Sequence, residues 1–160
     1  VGHYLSSVLA LPLLDKDDYL ESLFNTQGFS DTDRRHNLSR QADVLFQREA
    51  ESKNDVILVS HWRPRHGQAD YGTPSQWLAD SYYSIIEIYC MCPVAVAASR
   101  FVSRVRHKGH VDKSRTPAVV AQWLQDYSVH LPIGLGKCMP INTESQSWKD
   151  ELDILLEEYL

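Results

Sequence analysis

Val56-Ile57-Leu58-Val59 is an uninterrupted apolar, mostly β-branched run between the polar pairs Asn54-Asp55 and Ser60-His61. A short run without alternation suits a strand covered on both faces, as in a parallel sheet. Parallel neighbours cannot be joined by a tight hairpin, so such a strand demands crossover connections, usually helices. The flanking sequence supplies them. Ser30-Asp31-Thr32-Asp33 is a capping cluster, and a long helix is expected from about Arg34 to Ser52 with Leu38, Ala42, Leu45, Phe46 and Ala50 facing inward. A weakly helical stretch follows near Pro74 to Tyr82, and Ile85 to Cys90 is a second continuous strand pattern. Pro93 fits the first turn of a helix running to about Val105 or Arg106.

The same alternation extends to both ends. Tyr4, Leu5, Val8 and Leu9 have the spacing of an amphipathic helix whose beginning lies before Val1, and Pro12 stops it ahead of a short strand at Leu13-Leu14. Tyr19, Leu20, Leu23 and Phe24 then mark a helix of about two turns capped by Asp17 or Asp18. Thr116-Pro117 opens a helix through about His130, with Trp123 and Tyr127 on its apolar stripe. Met139 to Asn142 is a fourth strand, and a last helix covers about Ser147 to Tyr159. Strands alternating with helices give an α/β fold with a parallel sheet and helices on both faces. Ligands in such folds bind beyond the carboxyl ends of the strands. Those ends carry Asp15 and Asp17, then Ser60 to Arg65, then Cys92, then Asn142 and Thr143.

Composition narrows the class. At 160 residues, 43% of them hydrophobic, the chain suits one globular domain with a useful core. No apolar stretch reaches the roughly 18–20 residues of a membrane span. The start, Val1-Gly2-His3-Tyr4, has neither an initiating Met nor the basic region of a signal peptide, which suggests a fragment or a processed chain. Three cysteines cannot all pair, and Cys90 and Cys92 share one strand face, so a reducing cytoplasmic setting is expected. Net charge is −5, yet residues 100–115 hold six Lys/Arg against Asp112 alone. A local cationic patch on an acidic chain suits a small anion better than a nucleic-acid backbone.

In order and separation these features resemble the small P-loop kinases of the shikimate kinase, gluconate kinase and chloramphenicol phosphotransferase type. The resemblance runs over nearly the whole chain. Asp15-Lys16-Asp17 looks like the family's D-x-D; Cys92-Pro93 with Arg100, Arg104 and Arg106 looks like its post-strand helix and LID, here about 100–116; Ile141-Asn142-Thr143 is similar to its last strand. The Walker A sequence G-x-x-x-x-G-K-[ST] occurs nowhere in the 160 residues, and Val1 follows the point where that motif would close. The first, central strand of the family fold would be missing with it. That loss would leave a gap in the sheet between neighbours with unpaired edges.

The resemblance implies an ATP-dependent phosphotransferase acting on a small-molecule hydroxyl, with ATP and Mg²⁺ as cofactors. The alternative is a catalytically inactive, P-loop-kinase-like binding or regulatory protein. By resemblance Asp17 takes or orients the acceptor's proton, and Asp15 belongs to the water shell of Mg²⁺. Helix capping is the competing role for these acids. Arg100 would lie near the adenine and Arg104 or Arg106 near the phosphates; a solvated basic face competes. Asn142 and Thr143 would touch the base, against a plain cap before Ser147. Arg34, Arg35, Arg63 and Arg65 flank the acceptor side, where a carboxylate or phosphate would be clamped. His107-Lys108-Gly109-His110 lacks the further ligands of a zinc site. Ser60-His61 beside Asp15 or Asp17 could mimic a nucleophile and base, but no G-x-S-x-G elbow surrounds Ser60.

Overall fold

The computed structural model describes residues 1–63, 72–110, 115–128 and 132–158. Arg65, part of the LID-like segment at 111–114, and the expected helix ends at His130 and Tyr159 lie outside them. The described chain forms two compact units: one of Val1–Arg63 with 72–82 and His107–Gly109, the other of Tyr83–Arg106 with the residues from His110 onward.

In the first unit, α1 (Gly2–Leu9) ends at Ala10, whose φ of 52° is left-handed, and the chain turns into β1 (Leu13–Asp15). The next helix, α2, runs Lys16–Gln27, three turns rather than two, because its cap is Asp15: the Asp15 carboxylate accepts from the Asp17 N–H at 3.0 Å. Asp17 and Asp18 therefore sit in the first turn, where negative charge opposes the helix dipole favourably. The long helix α3 (Thr32–Glu51) is capped by Asp31, whose side chain accepts from Arg34 N. The Ser30 hydroxyl and that N–H hold the Asp31 carboxyl below the usual carboxylate range.

Leu38, Ala42, Phe46 and Ala50 bury the inner face of α3 fully, as their spacing predicts. Leu45, expected on that face, is 43% exposed, because it lies at the margin of the stripe, about 20° beyond Leu38. Leu20, Leu23 and Phe24 of α2 complete that core with Leu38 and Ala42. β2 (Ile57–Val59) pairs with β1 in parallel, Leu13 against Ile57 through Asp15 against Val59. Trp62 bridges to Thr73, and α4 (Trp77–Ser81) follows. Trp62 packs between Phe46 and Trp77, and the Tyr82 hydroxyl donates to Ala50 O at 2.7 Å.

In the second unit β3 (Ile86–Met91) pairs with β4 (Lys137–Asn142) in parallel over six positions, Ile86 against Lys137 through Met91 against Asn142. A Cβ on Gly136 would overlap the Ile85 carbonyl, so only glycine lets the strands converge there. Ile86 and Met91, at the two ends of β3, are exposed. Helix α5 (Val94–Ser103) begins after Pro93 as expected and stops at Arg104, whose backbone is extended. Phe101 meets Trp123 of α6 (Pro117–Ser128) edge to face, and α7 (Trp148–Glu157) packs Leu152 and Leu156 inward. The described strands thus form two two-stranded parallel sheets, β1–β2 and β3–β4, within a mixed α/β arrangement.

Candidate functional site

The parallel register of β1 and β2 brings their carboxyl ends together and with them the D-x-D residues and the Ser60-His61-Trp62-Arg63 loop. Lys16, the middle residue of D-x-D, turns inward. Its ammonium lies 3.3 Å from Asp43 Oδ1 and donates to Ser39 Oγ at 2.8 Å. Asp43 also accepts from Thr73 Oγ1 at 3.0 Å, and Thr73 Oγ1 lies 2.6 Å from Ser60 Oγ. One chain of hydrogen bonds therefore joins the start of α2, the middle of α3, the end of β2 and the strand-like residue Thr73. Asp43 and Thr73 are buried, so the network replaces water that these groups would otherwise need.

His61 is held by its backbone, its carbonyl accepting from Thr73 N at 2.8 Å. Partial loss of hydration lowers the pKa of its imidazole below the usual value; the Lys16 ammonium lowers it further and the Asp17 carboxylate opposes. Lys16, Asp17 and His61 are thus within each other's field at the carboxyl end of the sheet. Ser60 Oγ is engaged with Thr73.

Of the four arginines expected on the acceptor side, Arg34, Arg35 and Arg63 are among the described residues. Arg34 Nη2 donates to Gln27 Oε1 at 2.9 Å and Arg35 Nε to the Gly109 carbonyl at 2.7 Å, both near the start of α3. Arg63 Nη2 approaches Gly72 O at 3.4 Å, and its carbonyl accepts from Ser75 Oγ at 3.1 Å. Asp15 combines its place at the strand end with the capping bond.

At the carboxyl ends of β3 and β4, Thr143 continues the strand pairing. Its N–H donates to Met91 O at 2.8 Å and its hydroxyl to the same oxygen at 3.0 Å. Arg100, on α5, donates to Thr143 Oγ1 and Thr143 O, both at 3.2 Å, so two residues predicted to share a site are joined directly. Asn142 uses its side chain to accept from Glu144 N at 3.0 Å, an Asx turn that closes the loop before α7. Arg104, just past the end of α5, lays its guanidinium 4.4 Å from the Phe101 ring centre. Arg106 lies 3.4 Å from His110 Nε2. Arg100 lies in the last turn of α5, whereas Arg104 and Arg106 follow its end.

Lys16, Asp43 and Thr73 were not singled out in the sequence. Asp43 carried a readable signal: an acid between Ala42 and Phe46, adjoining the apolar stripe of α3, is either exposed or paired. Among the described residues no group of three His, Cys, Asp or Glu side chains could hold a metal ion by itself, and no helix is long and apolar enough to cross a membrane.

Neither a protein-family model nor a curated protein sequence matches the chain. Among solved structures it is similar to the 1.70 Å crystal structure of a protein from Chloroflexus aurantiacus described as a "putative kinase", with 18% identity and a TM-score of 0.67. The likeness covers 99% of this chain and 89% of that one. The fold of this chain is therefore a mixed α/β arrangement of parallel strands and helices similar to that of the Chloroflexus protein.

Proposed function

We propose that the chain serves as a P-loop-kinase-like phosphotransferase that moves a phosphoryl group from ATP to a small-molecule hydroxyl. The observation that carries this reading is the register of β1 with β2, which sets Asp15 and Asp17 at the carboxyl end of a parallel pair beside the Ser60 to Arg63 loop. A fold likeness over nearly the whole chain supports it. The described strands form two parallel pairs, in keeping with the gap that the resemblance implies where its central strand is not among these residues.

In this reading Asp17 orients the acceptor hydroxyl and takes its proton, and Arg34, Arg35 and Arg63 offer guanidinium groups to an anionic acceptor. Arg100 with Asn142 and Thr143 forms the nucleobase side, and Arg104 and Arg106 stabilise phosphate charge. A carboxylate has two oxygens and about four acceptor positions, so the capping bond leaves Asp15 able to hold a water of a Mg²⁺ shell. The backbone cradle of a Walker A loop is not supplied by these 160 residues. The chain's own groups therefore fit the base, lid and acceptor parts of the site but not the phosphate cradle.

Calorimetric titration with MgATP tests the reading. The expected result is a heat of binding that weakens in Arg100→Ala. No heat from a chain shown by circular dichroism to be folded would overturn the nucleotide part and favour a binding or regulatory protein of the same fold.

A further inference from the structure

The His107 to Gly109 segment is fastened to α2 and α3 by an unusually complete set of contacts. His107 stacks on Phe24, rings 5.6 Å apart and 16° from parallel, with Phe29 edge-on at 6.0 Å. Its Nε2 lies 3.1 Å from Asn25 Oδ1, and its Nδ1 accepts from the backbone N–H of Gly109 at 3.1 Å. Gly109 is pinned from its other side by Arg35 Nε on its carbonyl at 2.7 Å. A Cβ on Gly109 would overlap the Phe24 ring, so only glycine lets the backbone lie so close.

These contacts define the charge state the segment accommodates. A backbone amide can only donate, so Nδ1 must carry a lone pair and the ring hydrogen sits on Nε2, directed at Asn25. A proton on Nδ1 would set N–H against N–H. The ring itself has reason to stay, since the face of Phe24 attracts a cation. Breakage therefore falls on the Gly109 bond rather than on the stack. Among the described residues of its own unit, the groups that meet this segment are Arg35 from α3, on the Gly109 carbonyl, and Phe24 and Asn25 from α2, on the ring; Arg106, Lys108 and His110 are the charged or titratable residues beside it in sequence.

We propose that His107, Phe24, Asn25 and Gly109 form a proton-operated latch, which holds the segment while the imidazole is neutral and releases its Gly109 end when Nδ1 gains a proton. Arg104 and Arg106 lie just upstream in the chain, so release would change the tether of the arginines assigned to the phosphates. That consequence rests on the proposed function; the latch does not.

Nuclear magnetic resonance of the ¹⁵N-labelled 160-residue chain decides it. At a pH of about 8 the His107 ring is expected as the Nε2–H tautomer, and finding Nδ1–H would overturn the latch. Between about pH 8 and about pH 5, where histidines ordinarily change charge, the Gly109 amide resonance should follow the His107 ring and its protection from exchange should fall. The expected fall is roughly fivefold, the factor that one hydrogen bond contributes. His107→Gln should abolish the dependence. A Gly109 amide indifferent to His107 titration would overturn the proposal, and if the variant does not fold the wild-type titration decides alone. A working latch without MgATP heat would count against the nucleotide reading only; heat with a silent latch would count against the latch only.

Discussion

Lys16 and Asp43 leave only 12% and 10% of their side-chain surfaces accessible, a setting where an ion pair is expensive to break from one side. Asp43→Ala would strand the ammonium on Ser39 alone and remove the acceptor of Thr73. The expected cost is about 3 kcal/mol in urea unfolding, against a much smaller loss in Asp43→Asn, which still accepts from Thr73. His61 supplies a second test at this scale. Its depressed pKa means that the unfolded chain binds the proton more readily, so this group's contribution to stability is complete above the ordinary histidine value and is lost as pH falls through the folded one. Because the Asp17 carboxylate is the one neighbour raising that pKa, Asp17→Asn should lower it further. A proton titration of the His61 ring that does not move in this variant would separate the two residues. Arg34, Arg35, Arg63 and Arg65 could be named from the sequence as loop or helix-start cations, but their partners could not. Gln27, Gly109 and Gly72 are 7, 74 and 9 residues from the three described arginines.

Elements were largely legible because the signals that make them are local. Apolar spacing set α3 and α6, Pro93 set the start of α5, and β-branched runs set β2 and β3. At α2 the sequence offers Asp17 or Asp18 as the cap of the helix and, for Asp15, either a metal shell or capping; in the structure the Asp15 carboxylate both ends β1 and caps α2. Losing it should cost about 1 kcal/mol in Asp15→Ala, with most of that kept in Asp15→Asn or Asp15→Ser, as measured by thermal or urea unfolding. A cap worth nothing would mean that the Asp15 carboxylate is held elsewhere. Leu45 was misassigned for a related reason: a helical stripe can be read to within about one residue, and whether its margin is covered depends on the width of the partner, here α2.

For the molecule as a whole, the three cysteines are free in the structure, and burial pushes the Cys138 and Cys90 thiols up. A thiol count on the denatured, unreduced protein should therefore return three, and a count of one would reveal a bridge. The strands behave as the pattern of continuous apolar runs demands, pairing in parallel through helical crossovers, but as two pairs in place of one sheet. Element type and order needed only the chain itself, since helix periodicity, caps and strand runs are fixed by neighbours a few residues apart. The same was true of the segments bearing the candidate residues, because a strand's carboxyl end is visible where an apolar run stops. Which strands pair, which side chains meet, and that Lys16 turns inward to Asp43 while Arg100 reaches Thr143, were decided by folding. Those contacts join residues 27 and 43 positions apart, and such distant groups are chosen by burial, register and hydrogen-bond satisfaction, which local sequence does not encode.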